Sequence, residues 1–143
     1  MYEWGMRFRL CCVLLVMIFG CGPRQLKVTM NPDNNSGQSG FAVLTDRGSK
    51  GISVTVETNA PDVEGRQPAH IHTGNCGEVG MRVGYLDPGL DSLADAGLPG
   101  RYGITRDLTT VTFEMLSKGE WALNVHDSRD ANIYVSCGEI PNP

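Results

Sequence analysis

No stretch of this 143-residue chain sustains a helical period, whereas short runs of alternating or β-branched residues recur between clusters of Gly, Pro, Asn and Asp. Eight such runs predict strands, over 26–30, 41–45, 52–57, 69–73, 81–86, 109–113, 120–126 and 133–137. Strands so short and so closely spaced predict a single all-β domain, an eight-stranded antiparallel sandwich or barrel. The longest stretch without strand character is 87–108, which holds Asp87-Pro88-Gly89, Gly97, Pro99-Gly100 and Gly103. It predicts a long irregular loop, of the sort that is functional or flexible. Trp121 and Phe113 are expected in the core, and Asp127-Ser128-Arg129-Asp130 as a turn between the last two strands.

Ahead of that domain, Arg7 and Arg9 precede an uncharged apolar stretch over 10–20, about as long as a signal-peptide core and too short to cross a bilayer as a helix. Met6 is an alternative start that removes Glu3. Ile18-Phe19-Gly20-Cys21 resembles the bacterial lipoprotein signal, in which a small residue stands before a Cys that takes lipid and becomes the mature N-terminus. The resemblance implies a signal peptide over 1–20 and lipidation at Cys21; the Gly-, Pro- and Asn-rich residues that follow read as a tether and loop over 21–40, ahead of the β domain over 41–143. It also implies an exported protein of the bacterial cell envelope, anchored to membrane by lipid and facing the periplasm or the exterior. Ordinary cleavage or an uncleaved anchor is the competing reading.

Removing 1–20 takes away two basic residues and one acidic, leaving 10 basic against 15 acidic residues, a net charge of −5. Nucleic acid is therefore not an expected partner, because no run of Lys and Arg offers a phosphate-binding surface. Of the five Cys, Cys11 and Cys12 fall in the signal segment and Cys21 in the lipidation signal. Cys76 and Cys137 remain as an even pair, which in an oxidising compartment favours a disulfide over free thiols or thiolate metal ligands.

The chain has three His. In Ala69-His70-Ile71-His72 strand alternation sends both imidazoles to one side and Ile71 to the other. In Trp121-Ala122-Leu123-Asn124-Val125-His126 the apolar Trp121, Leu123 and Val125 share one face, so His126 lies on the opposite, non-core face. Three imidazoles directed away from the apolar interior can make one open site for copper or zinc. Taken on spacing alone, three surface histidines that never meet is the simpler expectation. Met81 and Met115 are expected as core filling rather than thioether ligands, and Glu78 as a solvated loop carboxylate rather than an added oxygen ligand.

Three segments occur in a telling order: Pro68-Ala69-His70-Ile71-His72-Thr73-Gly74-Asn75-Cys76, then Leu123-Asn124-Val125-His126-Asp127-Ser128, then Tyr134-Val135-Ser136-Cys137-Gly138-Glu139-Ile140. Together they resemble the copper/zinc superoxide dismutase family, over about residues 40 to 140. The resemblance implies that family's eight-stranded antiparallel Greek-key sandwich or barrel, one copper held by His70, His72 and His126, and a Cys76–Cys137 disulfide. Superoxide is the small-molecule partner it implies. Two departures qualify the activity. The stretch from Gly77 to Pro88 holds no His, and Tyr85 falls near the place of the family's bridging His, so no zinc site of the family type is expected. Tyr134 stands where the family sets an anion-attracting Arg, with Arg129 the nearby substitute.

Three functions follow, with no catalytic residue assigned. The favoured one is an exported domain holding copper for delivery or protection, with little dismutase activity. The others are an active copper-only dismutase, turning superoxide into dioxygen and hydrogen peroxide, and a metal-free envelope domain that binds another protein.

Overall fold

Alternation is cleanest in β3 (Ile52–Asn59), where Ile52, Val54, Val56 and Thr58 are buried and Ser53, Thr55 and Glu57 between them are half-exposed. Such a strand has one face for a core and one for water. The same logic builds β1 (Gln25–Pro32), β2 (Gly40–Asp46), β4 (Ala69–Asn75), β5 (Glu78–Tyr85), β6 (Asp91–Ser92), β7 (Arg101–Leu108), β8 (Trp121–His126) and β9 (Tyr134–Ile140). These elements belong to a computed structural model that describes residues 22–59 and 63–143; the expected signal segment and Cys21 lie outside the described residues.

The nine strands form one antiparallel sheet in the order β5-β4-β8-β9-β1-β2-β3-β7-β6. It curls into a half-barrel. Val28, Leu44 and Val54 from one half of the sheet and Ile71, Leu123 and Val125 from the other bury into a single core. β1 is the seam, because Gln25 to Met30 pair with β2 while Asn31 and Pro32 pair with β9. Gly138 lets β9 run close beside this seam: a Cβ there would lie 2.5 Å from Val28 Cγ1 and 2.6 Å from the Thr29 carbonyl oxygen.

All-β and antiparallel character agrees with the sequence; the strand count does not, at nine among the described residues rather than eight. β1 is the strand expected over 26–30, and its pairing with β2 joins it to the sheet from Gln25 onward, inside the stretch named tether and loop. Within the expected loop, 87–108, the chain forms β6 and the eight-residue β7. β7 has no alternating apolar pattern, since Arg101, Arg106, Asp107 and Gly103 interrupt it, but it pairs with β3 along its whole length, from Ile52 opposite Leu108 to Asn59 opposite Arg101. Long-range pairing has overridden weak local preference. Conversely, 109–113 is no strand: it leads into a single turn of helix, α1 (Phe113–Leu116), whose N-cap Thr112 accepts from the Met115 N–H at 3.1 Å. Phe113 is buried in the core, and Trp121, half-buried, packs against it. Met81 does not fill the core; it is 74% exposed on β5, an edge strand with no neighbour beyond it, and Met115 is half-buried.

Cys76 and Cys137 are bonded, with an S–S distance of 2.12 Å, tying the end of β4 to β9 across a sequence separation of 61. Closing a loop of that length removes chain entropy from the unfolded state worth about 4 kcal/mol. Replacing both Cys by Ser is therefore expected to lower stability by about 4 kcal/mol. Urea unfolding of the oxidised parent and the double variant checks it, and superimposable curves would refute it.

Candidate metal centre

β4 and β8 pair so that Ala69 faces Val125, His70 faces Asn124, Ile71 faces Leu123 and His72 faces Ala122. Facing residues share a side of the sheet. Ala69, Ile71, Leu123 and Val125 therefore enter the core, and His70, His72, Ala122 and Asn124 occupy the other side. The His126 N–H extends the ladder by donating to the Pro68 carbonyl at 2.8 Å, which puts the His126 ring diagonally beside His70. The three histidines that need never have met are thus brought together: one ring nitrogen from each lies within 4.8 Å of the others. Ring centroids are 4.6 Å apart for His70 and His126, 5.9 Å for His70 and His72, and 6.0 Å for His72 and His126.

These rings avoid the apolar core, yet they are not at the surface. His70 is 5% exposed, His72 2% and His126 0%. Burial makes their hydrogen bonds decisive. His126 Nδ1 lies 2.6 Å from the Ala131 carbonyl oxygen, and His72 Nδ1 lies 3.1 Å from that of Gly80. Because a carbonyl only accepts, both neutral rings carry their proton on Nδ1 and present a lone pair at Nε2. The lone pair of His126 Nε2 faces His70 Nδ1 at 2.8 Å. That of His72 Nε2 is buried with no hydrogen-bond partner among the described residues. Leaving such an acceptor unmatched costs about 1–3 kcal/mol. Two oriented lone pairs and a third ring nitrogen beside them form a set that can hold a metal ion.

Arg82 and Tyr85 complete the surroundings, and strand parity did not reveal them. Three positions apart, they would lie on opposite faces of a regular strand. Here Ile71 faces Gly84 while His72 faces Arg82, so Val83 is an extra residue in β5. This bulge brings Arg82 and Tyr85 onto the imidazole side, Tyr85 facing His70. A second irregularity, between His72 and Gly74, aims the Gly80 carbonyl at His72. Gly80 is required there, since a Cβ would collide with Thr73 Oγ1. Tyr134 lies edge-on to His126 with centroids 4.8 Å apart and to His72 at 6.0 Å.

Burial is the largest influence on all three imidazoles and pushes each below its ordinary pKa of 6.5. For His70 it is reinforced by the positive forms of His126, Arg82 and His72, and the value falls to about 4. The Gly80 and Ala131 carbonyls pull His72 and His126 part of the way back, while Arg82 lowers both. Arg82 is thus the cation felt throughout the cluster. Arg129, the nearby substitute for the family's Arg, pairs with the Asp127 carboxylate at 3.2 Å. Glu78 is exposed, at the turn between β4 and β5 and outside the cluster. No family description, curated protein or solved structure matches the chain.

An imidazole with a folded pKa below its unfolded one leaves the unfolded chain to bind the proton first as pH falls. The contribution of His70 is complete above pH 6.5 and is lost as pH drops from there through about 4. Metal-free protein is expected to lose up to about 3 kcal/mol over this window from His70. Urea midpoints at stepped pH measure it; His70→Gln should flatten the profile, and an unchanged profile in that variant would contradict the assignment.

Proposed function

We propose that this chain is an exported, lipid-anchored domain of the copper/zinc superoxide dismutase-like kind, holding one copper ion through His70, His72 and His126 for buffering, delivery or protection, with little dismutase activity. The observation that carries the reading is the His72 Nε2 lone pair, buried without a hydrogen-bond partner among the described residues and beside two further imidazole nitrogens. A hydrophobic core gains nothing from such an atom, whereas a metal ligand must have it free.

Three neutral imidazoles suit copper, and bound copper would supply a redox-active ion. The chain's own residues supply the rest. The Gly80 and Ala131 carbonyls fix the tautomers of His72 and His126. His70 must shift its proton from Nδ1 to Nε2 to become the third ligand, so no net proton need leave at neutral pH. The lowered pKa values keep the rings unprotonated, and therefore able to bind metal, under mildly acidic conditions. Little turnover is the favoured reading because His is absent from the stretch 77–88 and Tyr134 takes the place of the family's Arg.

Copper-only dismutation is the second reading, and Arg82 favours it. Its positive charge bears on all three imidazoles and would draw a small anion towards them.

Calorimetric titration with copper(II) is expected to give one tight site in the parent and none in the His70→Ala, His72→Ala double variant. Equal weak uptake by both would dismiss the ligand assignment. A superoxide decay assay on the copper-loaded parent separates the two readings: slow decay supports holding, and fast decay that Arg82→Gln abolishes supports dismutation.

A further inference from the structure

Three almost fully buried imidazoles on the non-core side of a sheet need a cover, and the hydrophobic core does not provide one. Two tyrosines do. Tyr85 stands edge-on to His70 with centroids 5.1 Å apart, and Tyr134 stands edge-on to His126 at 4.8 Å and to His72 at 6.0 Å. Every imidazole of the cluster therefore touches one phenol ring. Neither tyrosine belongs to the apolar core. Tyr85 is 51% exposed and Tyr134 half-buried, so both rings contact imidazoles on one side and still reach solvent.

Core packing does not explain a half-exposed ring held against a polar partner. Tyr85 meets that partner by direct pairing, facing His70 across β4 and β5, and the extra residue in β5 brings Arg82 to the same side. Bulges beside functional groups commonly re-aim a side chain in this way. A phenol ring is also a stiff wall: it blocks a wide area with few rotatable bonds, and edge-to-face packing holds its orientation.

We propose that Tyr85 and Tyr134 are specificity-determining residues, a size-selective cover that admits a metal ion and small ligands such as cyanide to the imidazoles and holds off bulkier molecules. As a selector for metal ligands this rests on the copper-holding reading, but the cover itself can be tested without metal. Diethyl pyrocarbonate acylates neutral imidazoles, and with three His in the chain its ultraviolet signal reports on this cluster alone. Metal-free Tyr85→Ala and Tyr134→Ala are expected to react faster than the parent by up to about tenfold, the factor one edge-to-face ring contact carries. Tyr85→Phe and Tyr134→Phe, which keep the ring, should react like the parent. Unfolding midpoints identify any variant that has lost its fold, and Tyr85 is exposed enough to tolerate truncation.

In copper-loaded protein, cyanide is expected to strip the metal faster than ethylenediaminetetraacetate does, and the alanine variants should narrow that gap with copper affinity unchanged. Alanine variants that react at the parent rate, or phenylalanine variants that react as fast as the alanine ones, would overturn the cover. Failure of the parent to bind copper would instead overturn the proposed function, while the metal-free rates still decide whether the rings shield the cluster.

Discussion

The register of β4 against β8 is the constraint on which the rest depends. With Ile71 opposite Leu123 and His72 opposite Ala122, one side of the pair is wholly apolar and the other carries the imidazoles. A slip of one residue would turn Ile71 out of the core and bring its neighbours His70 and His72 in. Burying a side chain such as Ile71 or Leu123 contributes roughly 1.5–3 kcal/mol, and an imidazole in their place would lose that and require a hydrogen-bond partner as well. Selection of the core therefore fixes the histidines, although no histidine is part of it. That is how two His separated by 56 positions come to lie 2.8 Å apart.

The disulfide reinforces the same register from outside. Asn124 faces His70 on β4 and Cys137 on β9, which places all three in one row across the sheet. Cys137 Sγ contacts Asn124 Oδ1 at 3.6 Å and is bonded to Cys76, just beyond the end of β4. The row therefore closes on itself: β4 to β8 and β8 to β9 by hydrogen bonds, β9 back to β4 by a covalent bond. Gly138, the next residue, brings β9 against β1 and so links this half of the sheet to the other. Stability and site geometry share a support, and damage to the bridge should reach the imidazoles through one intervening strand.

Much of this was legible in the sequence. H-x-H in a β-branched run and the alternation of Trp121, Leu123 and Val125 sufficed to put three imidazoles on the non-core side, because a period of two is all that face assignment needs. What parity could not show was depth. Whether a non-core face is wet depends on what folds over it, and the cover comes from β5, from the Ala131 carbonyl and from Tyr134. β5 was opaque because its register shifts twice; each extra residue reverses the parity beyond it, so neither Arg82 nor Tyr85 could be assigned a face by counting. β7 was missed for a different reason. Its charged and glycine-broken sequence has little strand preference, and only the partner β3 makes it a strand. Met81 failed as core filling because it sits on an edge strand, where one flank has no neighbour to bury it.

Depth carries a physical cost that argues against an idle cluster. Three neutral imidazoles are buried, their pKa values are lowered by desolvation, and one acceptor nitrogen goes unmatched. Burying the rings and leaving the acceptor unmatched oppose folding, the lowered pKa values oppose it as pH falls below 6.5, and apolar residues on that face would remove all three. A bound ion reverses the sign, because a ligand that binds only the folded state at a hundred times its dissociation constant adds about 2.7 kcal/mol of stability. The unmatched His72 Nε2 then becomes a ligand, and the desolvation that raised the cost of a protonated ring favours the neutral form that a metal needs. The same burial that costs stability in mild acid equips the cluster to hold an ion there, where an exposed histidine would already have taken a proton.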